Sequence, residues 1–231
     1  MQKYKHILFD LDRTLWDFDT DTRNTIKEIF YDYGFDKKFD FDEWYITYKT
    51  HNIRLWEDYA LGKVTKAVLR DTRFYLAFND FGIDDKNLGI EFGKKFVEQS
   101  PDRTTLFPNV HEVLTYLSNK NYQLHIVTNG FNEIQFKKLD ATDIKKYFDK
   151  IFTCEDIGYN KPHIKFFNHV ISSLNSSKKE AIIIGDDFVS DILGAMKFGI
   201  DQIYFKPEYL PEPPMKPTFQ INSLIEIKNI L

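Results

Sequence analysis

The stretch Ile7-Leu8-Phe9-Asp10-Leu11-Asp12-Arg13-Thr14-Leu15 decides how this chain is read. Three apolar residues stop abruptly at Asp10, the pattern of a strand buried on both faces of a parallel sheet. Two aspartates follow, one residue apart, where such a strand delivers them to its carboxyl end. Ligands of open α/β sheets bind beyond those ends. Two carboxylates held there repel one another unless a proton or a cation intervenes. Aspartate is also common in turns, so this stretch alone reads equally well as a solvated strand-end loop.

Similar apolar runs recur at Leu124–Val127, Ile151–Phe152, Ala181–Ile184 and Ile203–Phe205. Helical spacing lies between them. Val110, Val113, Leu114 and Leu117 follow Pro108; Phe166, Phe167, Val170, Ile171 and Leu174 follow Pro162; Ile192, Leu193, Ala195 and Met196 lead to a stop at Gly199. This alternation predicts an α/β fold, a doubly wound parallel sheet with right-handed crossovers.

Residues 17–102 read differently, with no strand pattern. Ile26, Ile29, Phe30 and Tyr33 form one helical stripe ended by Gly34. A second runs from Trp44 to Tyr59, a third from Val64 to Phe81, and a fourth over Leu88–Val97. The expected organisation is an α/β core of residues 1–16 and 103–231, interrupted by a helical bundle over 17–102. Pro207–Pro217 carries five prolines and is expected to be an extended connector.

Composition narrows the function. The chain has 231 residues, with 42% hydrophobic and 29% charged, enough for a sizeable core. A formal net charge of −4 argues against a broad face for a nucleic-acid polymer. A single cysteine, Cys154, excludes an internal disulfide and a multi-cysteine metal cluster, and a reduced, cytoplasmic setting is expected. No apolar run approaches the ~20 residues of a membrane helix, and residues 1–12 show no leader pattern. Aromatic residues make up 16% of the chain, mostly at helical spacing, where rings are usually core.

The carboxylate pair does not stand alone. Gly185-Asp186-Asp187-Phe188-Val189-Ser190-Asp191 ends another apolar run, Thr128-Asn129-Gly130 ends a third, and Lys161-Pro162 follows a fourth. Acids, a hydroxyl and a lysine at the ends of several strands are what phosphoryl transfer needs. Hard oxygens hold Mg²⁺, while cations and N–H or O–H donors neutralise phosphoryl oxygens.

In these four motifs, taken in order, the sequence resembles the haloacid dehalogenase superfamily of aspartate-nucleophile hydrolases. The helical segment after the first motif resembles the α-helical cap of its subfamily I. The resemblance implies that Asp10 attacks phosphorus and that Asp12 serves as acid, then base. It implies Mg²⁺ held by Asp10, the Asp12 main-chain carbonyl and Asp186. Thr128, Asn129 and Lys161 would grip the phosphoryl oxygens. Asp191 would orient Lys161 or a metal-bound water, Asp187 would either support its neighbours or join the metal shell, and Thr14 would brace the loop. Arg13 stands where many relatives have glycine. Dehalogenases generally lack the second acid, so Asp12 points to phosphate esters.

Thr128-Asn129-Gly130-Phe131-x-Glu133-x-Gln135 and Leu15-Trp16-Asp17 further resemble the YjjG-type branch, 5′-nucleotidases of pyrimidine and non-canonical nucleoside monophosphates. The expected partner is thus a small-molecule phosphate ester, and the expected state a monomer or weak homo-oligomer. Trp16, and next to it Phe18, are the rings expected to meet substrate at the hinge. Alternatives are a phosphatase of a small sugar phosphate or phosphoglycolate, a broad-specificity phosphatase, a phosphomutase, or a non-catalytic binding module.

Overall fold

The computed structural model describes residues 3–206 and 212–231. The chain divides into two compact units, one of residues 1–18 and 104–231 and one of residues 19–103.

The first unit is built on a six-stranded, wholly parallel sheet. Its strands are β1 (His6–Phe9), β2 (Gln123–Thr128), β3 (Lys150–Thr153), β4 (Ala181–Gly185), β5 (Asp201–Phe205) and β6 (Phe219–Ile221), in the spatial order β3-β2-β1-β4-β5-β6. The order reverses at β1, which pairs with β2 on one side and β4 on the other. A doubly wound sheet opens its crevice at this switch point.

The helices, numbered along the chain, are α1 (Phe18–Asp32), α2 (Phe41–Ala60), α3 (Lys66–Asp80), α4 (Lys86–Gln99), α5 (Val110–Asn119), α6 (Asn132–Ala141), α7 (Cys154–Ile157), α8 (Ile164–Ser173) and α9 (Gly194–Phe198). Strand residues alternate between two cores, because successive side chains of a strand point to opposite faces. Ile7, Phe9, Ile182 and Ile184 pack with α5 residues Val113, Leu114 and Leu117 on one side. Leu8, Ala181 and Ile183 pack with α8 residues Phe166, Phe167 and Val170 on the other. Both faces are covered, which is why these strands read as continuous apolar runs.

The second unit holds α2, α3, α4 and nearly all of α1. Its core is aromatic: Phe30, Phe41, Trp44, Tyr45, Tyr48, Phe74, Phe78, Phe92 and Phe96 form one cluster. Trp44 meets Phe78 at 4.9 Å between ring centroids, and Tyr48 stacks on Phe74 at 4.7 Å. Much of the aromatic excess is therefore packing within this bundle. Asp40, Thr65 and Asp85 cap α2, α3 and α4 through their side chains. Gly34 and Gly82 take left-handed backbone beyond the ends of α1 and α3.

Two elements went unpredicted by apolar patterning. Strand β6 carries no apolar run; it is three residues long and sits at the sheet edge. Helix α6 has no apolar stripe, because its buried side chains are Gln135, Lys138 and Leu139. Of the Pro207–Pro217 connector, residues 207–211 lie outside the described residues, and 212–217 carry neither helix nor strand. Among the described residues, no helix is long and apolar enough to cross a membrane.

Candidate active site

The site forms at the carboxyl ends of β1, β2 and β4, all within the first unit. Parallel register sets Phe9 beside both Ile126 and Ile184, so the residues that follow each strand emerge together. Asp10 comes from β1, Thr128 from β2, and Asp186 from the end of β4.

Lys161 is the hub. Its Nζ donates to Asp10 Oδ1 at 2.7 Å, Asp191 Oδ1 at 2.6 Å and the Val127 carbonyl at 2.7 Å, using all three of its hydrogens. Asn129 fixes the backbone of this lysine: its Oδ1 accepts from Lys161 N at 2.8 Å and its Nδ2 donates to Lys161 O at 2.9 Å. The Asn129 side chain, expected on the phosphate, is therefore committed to holding Lys161. Thr14 Oγ1 lies 3.3 Å from Asp10 Oδ2 and 3.2 Å from Asp186 Oδ1, so its one hydrogen bridges two acids in turn. Gly185 makes room for Asp191, since a Cβ there would lie 2.3 Å from Asp191 Oδ2.

This cluster carries surplus negative charge. Carboxylate oxygens of Asp10, Asp186 and Asp191 all lie within 4.8 Å of one another. With all three ionised, they would exceed the single ammonium of Lys161, which binds Asp10 and Asp191, by two negative charges. Burial pushes the Asp10 carboxyl above its ordinary range against the pull of Lys161, with repulsion from Asp12 adding to it; burial, and then repulsion from Asp10 and Asp191, pushes Asp186 well above that range. Asp191 is pushed up to about 7, chiefly by burial and against the pull of Lys161. Burial acts to lower Lys161, but Asp10 and Asp191 more than offset it and raise the ammonium above its usual range. A compact set of hard oxygens with a charge of minus two fits a divalent cation such as Mg²⁺.

A second network holds Thr128 and Asp12. Thr128 Oγ1 accepts from Gly130 N at 3.0 Å and from Gln135 Nε2 at 3.3 Å. Both of its lone pairs are engaged, which leaves its hydrogen to donate. Asp12 turns away from the acidic cluster. Its Oδ1 accepts from Lys138 Nζ at 2.7 Å and its Oδ2 from Gln135 Nε2 at 2.8 Å. Lys138 is buried, and desolvation lowers it to about 8 although Asp12 works to raise it. A Cβ on Gly130 would lie 1.5 Å from Gln135 Nε2. Gly130→Ala should therefore fold, with the Gln135 amide swung aside, but lose roughly 10²-fold in kcat/KM through misplacement of Thr128 and Asp12. Unchanged kinetics would show that this amide is dispensable.

Lys138 escaped sequence reading because it lies on the polar buried face of α6. The usable signal was its spacing, three residues after Gln135 and so on the same helix face.

Other expected residues have definite places. Asp187 caps the helical turn Phe188–Leu193, its Oδ1 accepting from Val189 N at 2.9 Å and Ser190 N at 2.7 Å, so this oxygen serves the backbone. Trp16, expected as a stacking face for substrate, is only 1% exposed. Lys138 Nζ sits 3.3 Å from one of its ring centroids, and Phe18 packs edge-on at 5.3 Å. The expectation of an open Trp16 face is corrected: the indole is packed inside the Asp12 network. Phe18 is half-buried, with the Arg13 guanidinium 4.7 Å from its ring centroid. Arg13 has φ 63°, left-handed backbone that glycine adopts without strain, which accounts for a preference for glycine at this position. Cys154 is buried at the start of α7, its Sγ against the Asn129 carbonyl at 3.2 Å.

Comparison with known families matches residues 7–205 to the haloacid dehalogenase-like hydrolases, and the chain belongs to that family. It is 30% identical to the HAD-hydrolase YfnB of Bacillus subtilis, over 100% of this chain and 97% of that protein. It is 29% identical to the pyrimidine 5′-nucleotidase PynA of Streptococcus pneumoniae, over 99% and 97% of the two chains. With the pyrimidine 5′-nucleotidase YjjG of Escherichia coli it shares 28% identity over 99% and 98%. The crystal structure of YfnB bound to magnesium superposes with a TM-score of 0.87, 28% identity and 99% coverage of both chains.

Proposed function

We propose that this hydrolase is a Mg²⁺-dependent phosphomonoesterase of the cytoplasm that works through an aspartyl-phosphate on Asp10, with nucleoside 5′-monophosphates as its substrates. The observation that carries the reading is the charge count at the strand ends: three carboxylates around one lysine, with a threonine hydroxyl nearby in the same strand-end cluster whose hydrogen is left to donate.

Asp10 and Asp186, with the Asp12 main-chain carbonyl, would hold Mg²⁺, and Asp191 lies close enough to join or orient them. The ion, when bound, supplies the positive charge that lets an anionic nucleophile meet an anionic ester. The protein does the rest. Lys161 and Thr14 fix the Asp10 carboxylate, which forms the bond to phosphorus as the ester oxygen leaves. Asp12 delivers a proton to that oxygen and later takes one from the attacking water. Thr128 donates to a phosphoryl oxygen, and Lys161 lends its charge. Thr128→Val should lower kcat by about 10²–10³-fold with little change in melting temperature; a rate within twofold of wild type would remove Thr128 from this role.

The nucleotide substrate draws its support from the 5′-nucleotidase names of PynA and YjjG and from their near-complete overlap with this chain. The helical unit, in this reading, acts as the cap and selects the nucleoside, since the strand-end site can grip only phosphate. The test is phosphate release from nucleoside monophosphates, sugar phosphates and phosphoglycolate, each with Mg²⁺ and with EDTA. We expect a pyrimidine or non-canonical nucleoside monophosphate to have the highest kcat/KM, and EDTA to stop release reversibly. A best substrate without a base would overturn the nucleotide assignment, and no release from any ester would overturn the hydrolase reading.

A further inference from the structure

Asp12 lies three residues beyond β1, and two side chains from one face of α6 hold its carboxyl. Gln135 and Lys138 each bind a different oxygen of Asp12, at 2.8 Å and 2.7 Å, which fixes both its rotamer and the rotation of its carboxyl plane. Lys138 is itself locked, 3% exposed at its side chain and seated on the Trp16 ring face 3.3 Å from the centroid. Trp16 in turn is held by isolated bridges to Asp12 and to Leu106. Helix α6 starts just after Thr128, and Gln135 also binds the Thr128 hydroxyl. One helix thus ties the proposed acid to the proposed phosphate grip.

A buried lysine is a poor choice for stability alone. The desolvation of an ion pair roughly cancels its attraction, and an apolar side chain of similar volume often does as well. The indole face offsets part of that cost, but the return lies in orientation. General acid catalysis requires the proton within hydrogen-bond reach of the leaving oxygen at the moment the phosphorus–oxygen bond breaks. Groups that act this way must be held by neighbours whose own positions are locked.

We propose that Lys138 and Gln135 are positioning residues for Asp12, with Trp16 as the seat of the lysine and not a shelf for substrate; this rests on the phosphomonoesterase reading above. In the step concerned, the Asp10 oxygen bonds to phosphorus, the ester bond breaks, and a proton of the Lys138 ammonium passes through the Asp12 carboxylate that it binds to the departing oxygen. An alkoxide, such as the 5′ oxygen of a nucleoside, needs that proton. The p-nitrophenolate ion does not.

The test compares kcat/KM, which covers only the steps through phosphorylation of Asp10, for a nucleoside 5′-monophosphate and for p-nitrophenyl phosphate. Lys138→Met should lose about 10²–10³-fold on the nucleotide and less than about tenfold on the aryl ester. Lys138→Arg should recover part of the nucleotide rate. Gln135→Met, which keeps the ion pair, should show the same bias in weaker form and keeps the question open to test if Lys138→Met does not fold. Equal losses on both esters in these variants, or none, would overturn the positioning role alone. A wild-type chain that hydrolyses neither ester would overturn the hydrolase reading and this proposal with it.

Discussion

Asp10→Asn should yield a folded chain that releases no measurable phosphate, a loss of about 10⁴-fold or more in kcat. The amide matches the carboxyl in shape but is a far weaker nucleophile. The charge count makes the variant diagnostic. Asp10 is one of three clustered acids beside Lys161, which keeps Asp191 and the Val127 carbonyl as partners when Asp10 is neutral. Removing one surplus negative charge should leave the melting temperature unchanged or higher. Rate loss with undiminished stability separates a chemical role for Asp10 from a structural one. Asp12→Asn should also abolish turnover, because its amide cannot take a proton from the attacking water. Phosphate release and thermal melting, measured on the same preparations, check both variants.

Lys161→Met should do the opposite to stability. It leaves Asp10 and Asp191 buried without their shared cation and should cost about 3–5 kcal/mol, read from the denaturant midpoint, together with the activity. The deficit should depend on pH. An acid whose pKa is raised by folding binds its proton more tightly in the folded chain, so its stabilisation is greatest at low pH and lost as pH rises through the folded value. Asp191 already sits at about 7 in the presence of Lys161. Without the lysine, Asp10 and Asp191 must rise further, so the gap between variant and wild type should widen as pH rises through about 7. A gap independent of pH would show that lost packing, and not the stranded carboxyls, causes the destabilisation.

Most of the frame was legible because burial on both faces writes itself as short apolar runs. Ile7-Leu8-Phe9 and Ala181–Ile184 are of that kind, and each ends on the acids that the sheet brings together. Lys161 was legible as a cation before a helix, but its three bonds were not, since Asp10 and Asp191 lie 151 and 30 residues away in the chain. The support of Asp12 was hidden for a different reason. Gln135 and Lys138 are polar residues that face inward, so periodicity of apolar residues passes over them. Trp16 was located correctly beside the acids but given the wrong neighbour. Proximity in sequence could not show that a lysine from α6 occupies its face. Asn129 and Asp187 carried side chains suited to ligands that turn out to serve the backbone.

The central claim is that phosphorus passes through Asp10 before it reaches water. Stereochemistry tests this whether or not the intermediate accumulates. A phosphorothioate monoester made chiral at phosphorus with two oxygen isotopes can be hydrolysed by the wild-type chain with Mg²⁺ in water of the third isotope, and the configuration of the released thiophosphate determined. Two in-line displacements, first by Asp10 and then by water, predict retention. Inversion would mean that water attacks the ester directly, and would contradict the nucleophilic role of Asp10.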